Sequence, residues 1–352
     1  MIDLLEAPGH VAIDDRIDAA LQRVIHRAAA SGPTAAALTE AAARAASGGK
    51  RFRPALVAAA FRAWDGDEGQ RDAMTEVAAA FELLHAAFVV HDDVLDHDTV
   101  RRGVLNVAGE FTARGTDGGL DDAAAAELGE AAAILAGDLL LHEAERTIAL
   151  ADLDAVTRAA LLDVFDEAVL VSAFGELADI EHTLSAQVPH PDRLMQAAHD
   201  KTAVYSFAAP LAAGALLAGA TAAEVDTVRG CGRTLGLAFQ LVDDLIGAFG
   251  TTAQAGREAG VDLREAKRTP LIALARQTPD WDRIEGALAI AHTGPIAVRA
   301  AQRALDGAGA RARLVAVIGH TLGESRSAAD TLPPAARALV YRVAEHIESR
   351  IP

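Results

Sequence analysis

Apolar residues recur along most of this chain with the three- and four-residue spacing of amphipathic or buried helices. No segment shows the apolar–polar alternation of a half-buried strand, and no fixed-period repeat is visible. Alanine, the residue with the highest helix propensity, is abundant in the apolar runs. We therefore expect an all-α fold. The pattern predicts helices at residues 35–46, 74–96, 122–150, 156–184, 193–219 and 222–249.

Glycine-containing segments mark the expected breaks between these helices. Gly48 and Gly49 follow the first helix, and the sequence GTDGG at 115–119 predicts a loop. The polar stretch 250–262 predicts a second loop. Because no linker of distinct composition stands out, we expect a single domain over 1–352, with long helices around a central cavity.

Composition excludes several classes of protein. The 352 residues carry a net charge of -18, which disfavours nucleic acid as a partner. Every apolar run meets a charge or a break before it reaches membrane-spanning length, so we expect no membrane span. The acidic N-terminal sequence lacks a signal-peptide core. Cys231 is the single cysteine, which excludes a disulfide framework and predicts a cytoplasmic location.

Three aspartates close the long apolar helix predicted at 74–96. Asp92, Asp93 and Asp96 stand in the sequence HDDVLD, and such carboxylates are costly to bury unless a cation neutralises them. Mg²⁺ is usually held by one or two carboxylates together with substrate phosphates. Asp92 and Asp96 are one helical turn apart, which suits neighbouring metal sites. A solvated helix end remains the alternative interpretation.

A second acidic pair, Asp243 and Asp244, lies inside the apolar helix predicted at 222–249. Two acidic helices that face each other would clamp one diphosphate through several metal ions. Gln240 falls on an adjoining face of the second helix, where a buried, hydrogen-bonded amide is the alternative interpretation.

Basic residues accompany both acidic pairs. The segment GGKRFRP at 48–54 combines a flexible glycine pair with three cations, and Arg101 and Arg102 follow the first acidic motif. Arginine and lysine are the standard protein ligands for phosphate oxygens. Taken alone, each cluster is equally consistent with an exposed basic loop.

Lysine is scarce in this chain. Lysine and arginine together number 32, but only Lys50, Lys201 and Lys267 are lysines. All three lie in or beside the motifs above, which favours positions where a compact ammonium group is needed. For Lys201, a surface position remains the alternative.

Six motifs follow one another along the chain: GGKRFRP, HDDVLDHDTVRRG, LAGD, GELAD, KTAVYS and FQLVDDLIG. In this order they resemble the trans-isoprenyl diphosphate synthases, the head-to-tail polyprenyl synthetases, from about residue 45 to at least 270. Several ordered motifs together are far more specific than any one of them. The resemblance implies an all-α, soluble homodimer that joins isopentenyl diphosphate to an allylic diphosphate. It also implies Mg²⁺ as cofactor, with three ions around the bound diphosphate.

The resemblance assigns roles to individual residues. Those implied for isopentenyl diphosphate are Gly49, Lys50, Arg53, His85 and Arg102. Those implied for the allylic diphosphate are Arg101, Lys201, Thr202, Gln240, Arg257 and Lys267. The implied metal ligands are Asp92, Asp96 and Asp243, with Asp93 and Asp244 as outer-sphere or alternate ligands. Catalysis is expected to depend on Asp92, Asp96, Asp243, Lys201, Thr202 and Arg101, with Thr202 near the developing carbocation.

Three positions depart from the family pattern. Gly247 stands where the second acidic motif usually has a third aspartate, which predicts a weakened metal site. Arg257 replaces a lysine, and Glu176 replaces the glutamine of a Gly-Gln pair. The small Ala87, beside Phe88 in the turn before Asp92, predicts a tunnel deep enough for geranylgeranyl diphosphate (C20). Farnesyl diphosphate (C15) is the next expectation, and core packing is the alternative role of Phe88.

Three other functions compete with an elongating prenyltransferase. A weakly active or non-catalytic subunit of a heteromeric prenyl synthase would fit Gly247 but would not need the remaining acidic and basic residues. A class I terpene cyclase would carry a serine and a glutamate that residues 243–251 lack. A binding module for another phosphorylated ligand would not need two metal clusters.

Overall fold

The computed structural model describes residues 10–185, 189–255 and 259–352, and most of them are helical. The all-α prediction is confirmed. The first helices are α1 (His10–Ala29), α2 (Pro33–Ala46), α3 (Phe52–Ala63), α4 (Arg71–Leu95), α5 (Val107–Asp117), α6 (Asp122–Ala149) and α7 (Ala155–Leu184). A π-helix, His199–Ala208, separates α8 (Pro191–Ala198) from α9 (Ala209–Leu217).

Eight helices follow among the described residues from 222 onward. They are α10 (Ala222–Phe249), α11 (Thr252–Ala255), α12 (Val261–Arg264), α13 (Pro270–Arg276), α14 (Trp281–Ala289), α15 (Pro295–Gly307), α16 (Ala310–Ala329) and α17 (Pro334–Glu348). Short 3₁₀ turns lie at Glu68–Gln70 and Ala291–Thr293.

The described residues form two compact units. The first unit runs to Phe165 and includes Ala213–Gly219, and the second contains Asp166–Ala212 and the chain from Ala220 to Pro352. The expectation of a single domain stays a prediction.

In the first unit, α4 packs along α6, and α6 also packs along α5. Glycine lets α5 and α6 approach closely, because a Cβ at Gly129 would lie 2.2 Å from the Thr112 hydroxyl oxygen. The segment Glu68–Leu95 is long and apolar enough to cross a membrane by length and composition. However, 78% of its most apolar window is buried in the protein, so this segment serves as a core helix.

In the second unit, α10 packs against the π-helix and against α16. Thr221 and Glu224 form a capping box that fixes the start of α10, where the sequence predicted it. The helix backbones meet at Gly236, since a Cβ there would lie 2.4 Å from the Cα of Ala203. This close packing places the second acidic pair beside the π-helix that carries Lys201 and Thr202.

Local structure differs from the sequence predictions at several places. The loop prediction for 115–119 is wrong for residues 115–117, because α5 continues to Asp117 with Gly115 buried. The predicted helix 193–219 is interrupted by the π-helix, which shares the helical pattern of apolar positions. The loop predicted at 250–262 contains α11 and the start of α12.

A small hairpin was not expected. The strands β1 (Val100–Arg101) and β2 (Val104–Leu105) pair antiparallel, with Val100 opposite Leu105. The two residues between them, Arg102 and Gly103, both have positive φ, at 53° and 80°. Consecutive positive φ values are typical of a tight hairpin turn. Two-residue strands are too short to produce a visible alternation in sequence.

Candidate active site

The segment after α2 forms a basic turn at the start of α3. Gly48 and Gly49 have φ values of 71° and 98°, which glycine adopts without strain. Lys50 is exposed and Arg53 is partly buried. The glycine pair thus leaves Lys50 accessible to an anion.

Arg51 anchors this turn in the protein. Its guanidinium donates to Asp14 Oδ1 at 2.7 Å and to Glu82 Oε1 at 3.2 Å, and the residue is only 8% exposed. Arg51 also adopts a left-handed conformation, with φ of 48°. Because two carboxylates hold it, Arg51 fixes the backbone between Lys50 and Arg53 rather than facing a ligand.

His85 lies on α4 in a strongly positive environment. Burial lowers the pKa of His85 well below its usual value, and the charges of Arg53, Arg101, Arg102 and Arg51 lower it further. The structure therefore brings together His85, Arg53 and Arg102, three of the residues predicted for isopentenyl diphosphate. A neutral imidazole at physiological pH can donate one hydrogen bond to a phosphate oxygen.

The first acidic motif is tied to the hairpin through Arg101. The Arg101 guanidinium donates to Asp93 Oδ1 at 2.7 Å and lies 3.5 Å from Asp92 Oδ2. Burial raises the pKa of Asp93, and the hydrogen bond from Arg101 opposes this. Asp92 and Asp96 are more accessible, and Asp96 caps the end of α4. Asp93 is thus the structural member of the motif, whereas Asp92 and Asp96 can reach a ligand.

The residues predicted to control product length lie one turn earlier on α4. Ala87 is fully buried, and Phe88 is partly exposed. A larger side chain at Ala87 would have to displace its neighbours in the core.

Lys201 is held by two carboxylates at the start of the π-helix. Its Nζ donates to Glu176 Oε1 at 2.9 Å and to Asp179 Oδ2 at 3.3 Å. A Cβ at Gly175 would lie 2.1 Å from the backbone nitrogen of Lys201, so glycine is required there. Glu176, a departure from the family pattern, therefore makes a direct contact with a predicted substrate ligand. π-helical segments are frequently found at functional sites.

Thr202, Gln240 and Asp244 form a short hydrogen-bonded chain. The Thr202 hydroxyl donates to Gln240 Oε1 at 3.2 Å, and Gln240 Nε2 donates to Asp244 Oδ1 at 3.2 Å. Burial raises the pKa of Asp244 to about 7, and the charges of Asp262, Asp243 and Asp179 act in the same direction. The chain orients the Thr202 hydroxyl relative to the second acidic pair.

Asp243 contacts an arginine from the far end of the chain. Arg350 donates to Asp243 Oδ1, and its guanidinium carbon lies 4.2 Å from the centroid of the Phe239 ring. The two ion-paired residues are 107 positions apart, so no local sequence pattern could reveal the contact.

Lys267 lies after α12, and its Nζ is 3.8 Å from Asp262 Oδ1. Asp262 and Asp179 are two further carboxylates near the second acidic pair, and only Asp179 belongs to a recognised motif, GELAD. Arg257, predicted to bind the allylic diphosphate, lies outside the described residues.

The donor chemistry of both acidic pairs fits a divalent cation. Mg²⁺ prefers carboxylate oxygens, which is what Asp92, Asp96, Asp243 and Asp244 offer. Within the described part of the chain, no three His, Cys, Asp or Glu side chains are gathered as a potential metal site. The carboxylates would therefore supply part of a coordination shell, and diphosphate oxygens the rest. A cation would also oppose the burial and the carboxylate repulsion that together raise the pKa of Asp244.

Comparison with known proteins decides the family. The sequence profile described as polyprenyl synthetase matches residues 35–305. The chain belongs to the polyprenyl synthetase family. The order of motifs noted in the sequence is therefore that of the family to which the chain belongs.

Relatives in the family carry names with different product lengths. A geranylgeranyl diphosphate synthase of Sulfolobus acidocaldarius is 32% identical over 228 residues, which is 64% of this chain and 62% of that protein. The chain thus spans less than two thirds of that relative. A nonaprenyl diphosphate synthase of Mycobacterium tuberculosis is 31% identical over 312 residues, covering 85% of this chain and 84% of the relative.

The fold is shared with a solved member of the family. A geranylgeranyl pyrophosphate synthase from Corynebacterium glutamicum, complexed with isoprenyl diphosphate and magnesium, superposes with a TM-score of 0.85. The two sequences are 28% identical, and the match covers 96% of this chain and 98% of the other.

Proposed function

We propose that this chain is a Mg²⁺-dependent head-to-tail prenyltransferase that condenses isopentenyl diphosphate with an allylic diphosphate. The observation that carries the proposal is that carboxylates of both acidic motifs contact or adjoin cationic groups suited to diphosphate. Arg101 lies at Asp92 and Asp93 in the first unit, and Lys267 lies at Asp262, beside the second motif. Magnesium in the related Corynebacterium glutamicum structure supports the cofactor.

Isopentenyl diphosphate is assigned to the basic residues of the first unit. Lys50 is exposed, Arg53 and Arg102 act on His85 through their charges, and Gly49 adopts the positive φ of the turn. Arginine forks and a lysine ammonium bind phosphate oxygens, and the neutral His85 adds a hydrogen-bond donor.

For the allylic diphosphate we propose the residues that the family resemblance implies, which are Arg101, Lys201, Thr202, Gln240, Arg257 and Lys267. In this proposal Lys201 and Lys267 supply positive charge, and the Thr202 hydroxyl, which donates to Gln240 Oε1, would lie near the developing carbocation. Arg257 retains its predicted role. In the proposed reaction these cations favour departure of diphosphate with the electron pair of the C–O bond.

Mg²⁺ held by Asp92, Asp96 and Asp243, with Asp93 and Asp244 in support, would supply Lewis-acid neutralisation of the departing diphosphate. We propose three ions for one bound diphosphate. The double bond of isopentenyl diphosphate then attacks the allylic carbon and forms a C–C bond. A proton passes to the released diphosphate, and the product is five carbons longer. The protein's own part is to orient both substrates, to place the Thr202 oxygen near the positive charge and to exclude water.

For product length we propose C20, with C15 as the second choice. The small, buried Ala87 supports the longer product, and the Sulfolobus acidocaldarius and Corynebacterium glutamicum relatives bear geranylgeranyl names. The nonaprenyl name of the Mycobacterium tuberculosis relative makes direct measurement of length essential.

A product assay tests the proposed function. The protein is incubated with Mg²⁺, labelled isopentenyl diphosphate and, in turn, dimethylallyl, geranyl or farnesyl diphosphate; products are dephosphorylated and sized. We expect a C20 alcohol that disappears with EDTA. Another product length would support the prenyltransferase activity but contradict the inference of C20 from Ala87. No elongation with any primer would reject the proposal and favour the non-catalytic subunit that Gly247 had suggested.

We also propose a cytoplasmic homodimer. On α7, Leu170, Phe174 and Leu177 recur at helical spacing and are 50–61% exposed. On α6, Ile134 and Leu135 are 47% and 54% exposed. Exposed apolar patches of this kind mark protein interfaces. Sedimentation velocity should give twice the chain mass of 36.4 kDa, and Phe174→Glu should shift the protein toward monomer. A monomer at micromolar concentration would exclude the dimer.

A further inference from the structure

Gly247 faces the carboxylate of Asp262 at very short range. A Cβ built on Gly247 would lie 1.7 Å from Asp262 Oδ2 and 2.5 Å from its Cγ. The obstacle is a buried side chain, since Asp262 is only 6% exposed. Position 247 therefore has no room for any side chain while Asp262 keeps its place.

The chain around Asp262 folds back on itself. Gly260, before α12, has φ of 72°, and Ala266, after it, has φ of 53°. The backbone N–H of Lys267 donates to the carbonyl oxygen of Asp262 at 2.9 Å. The turn thus brings Lys267 back beside Asp262. The Lys267 Nζ lies 3.8 Å from Asp262 Oδ1.

The two partners differ in accessibility. The Lys267 side chain is 44% exposed, whereas that of Asp262 is 8% exposed. The structure thus sets an accessible ammonium group over a buried carboxylate. A free lysine side chain has many rotamers, and restricting them before a ligand binds reduces the entropy lost on binding.

We propose that Asp262 is a positioning residue that holds Lys267 beside the second acidic motif. Gly247 is glycine because only glycine admits the Asp262 carboxylate against α10. The inference rests on the proposed function only in that Lys267 binds the allylic diphosphate. It gives Gly247 a role other than that of a lost metal ligand, since the glycine makes space for a carboxylate from α12.

The first experiment measures diphosphate binding without turnover. Farnesyl thiolodiphosphate, which resists ionisation, is titrated calorimetrically with Mg²⁺ into wild type, Asp262→Asn, Lys267→Met and the double variant. We expect Asp262→Asn to weaken binding about tenfold, within the range known for interacting neighbours, and the double variant to match Lys267→Met alone. Additive losses would overturn the positioning role.

A matched control is available at Glu265, an exposed carboxylate whose Oε2 lies 3.5 Å from the Lys267 Nζ. Glu265→Gln should change binding less than about twofold, because exposed ion pairs contribute little. In steady-state assays, Asp262→Asn should raise KM for the allylic diphosphate and leave KM for isopentenyl diphosphate unchanged. Equal effects at Glu265 and Asp262, or equal effects on both KM values, would contradict the proposal.

A second experiment tests the space at Gly247 without a ligand. Gly247→Ala should unfold at lower temperature than wild type, whereas Gly230→Ala should not, because a Cβ at Gly230 meets nothing within 4 Å. Gly247→Asp should be worse than Gly247→Ala, and Gly247→Asp with Asp262→Gly should recover stability. A Gly247→Ala protein as stable as Gly230→Ala would refute the steric argument. Failure of the proposed function would instead appear as wild type that neither binds diphosphate nor elongates.

Discussion

Asp92→Ala and Asp243→Ala should each lower kcat by at least about a hundredfold while the protein remains folded. The expected size is that of removing one group that stabilises charge in a transition state. Each variant deletes a carboxylate that we propose as a ligand of the cation that neutralises the leaving diphosphate. The measurement is kcat over a Mg²⁺ titration, with the helical circular dichroism signal as the check on folding.

The exposure of these two aspartates supports the expectation that both variants fold. The side chain of Asp92 is 29% exposed, and Arg101 keeps its shorter hydrogen bond to Asp93 when Asp92 is removed. The side chain of Asp243 is 38% exposed. By contrast, the Asp93 side chain is 4% exposed, and its loss would leave Arg101 without its buried partner. Lower activity of an Asp93 variant could therefore result from loss of stability rather than loss of catalysis.

Asp117→Ala is the control for the aspartate variants, since Asp117 is an exposed aspartate at the end of α5. It should retain wild-type turnover and the same dependence on Mg²⁺. With an active wild type, near-normal turnover of Asp92→Ala or Asp243→Ala would reject the metal assignment of that residue.

Arg51→Met should lower the free energy of unfolding by about 3–5 kcal/mol, the usual effect of breaking a buried ion pair from one side. The substitution leaves Glu82, which is 6% exposed, as a buried carboxylate without its arginine. It also releases the turn in which Arg51 adopts its left-handed conformation. The measurement is urea unfolding of wild type and variant.

Two further variants show whether the loss of stability comes from the buried, unpaired Glu82 carboxylate or from losing any arginine. Arg16→Met removes an arginine that is 41% exposed and pairs with Asp72 and Glu76, and it should cost less than about 1 kcal/mol. Arg51→Met combined with Glu82→Leu should recover much of the loss, because the uncompensated charge is gone. A single Arg51→Met variant as stable as Arg16→Met would show that the buried pair is not stabilising.

The same variant has a functional readout. Because Arg51 lies between Lys50 and Arg53, loosening the turn should raise KM for isopentenyl diphosphate more than KM for the allylic substrate. The assay is run at a temperature where Arg51→Met is still folded. Equal changes in the two KM values would show that the turn has no specific role in binding isopentenyl diphosphate.

Sequence patterns predicted the long helices well because their apolar positions are periodic over many turns. The start of α10 at residue 222 and its end at 249 agree with the prediction. The same periodicity could not distinguish the π-helix at His199–Ala208, because both helix types bury similar residues. Gly115 was misleading, because tertiary packing retained a helix where local propensity predicted a loop.

Contacts between distant residues account for what the sequence did not predict in the site. The carboxylate and cation motifs were recognisable from residue type and order. Arg350 contacts Asp243, and the Asp262 side chain lies against Gly247. Both contacts depend on how separate segments pack. Residue type alone therefore indicates a missing ligand at Gly247, and only the structure shows that the Asp262 carboxylate lies against it.

Because lysine is scarce, acylation of lysine side chains can report on occupancy of the proposed substrate site. Every lysine side chain belongs to the proposed substrate site, so an amine-acylating reagent that attacks side chains can label only Lys50, Lys201 and Lys267. The exposed Lys50 should be acylated fastest, and Lys201, held by Glu176 and Asp179, should be acylated more slowly. Mass spectrometry of the three peptides would then follow the filling of each diphosphate position separately, without a labelled substrate or an engineered probe.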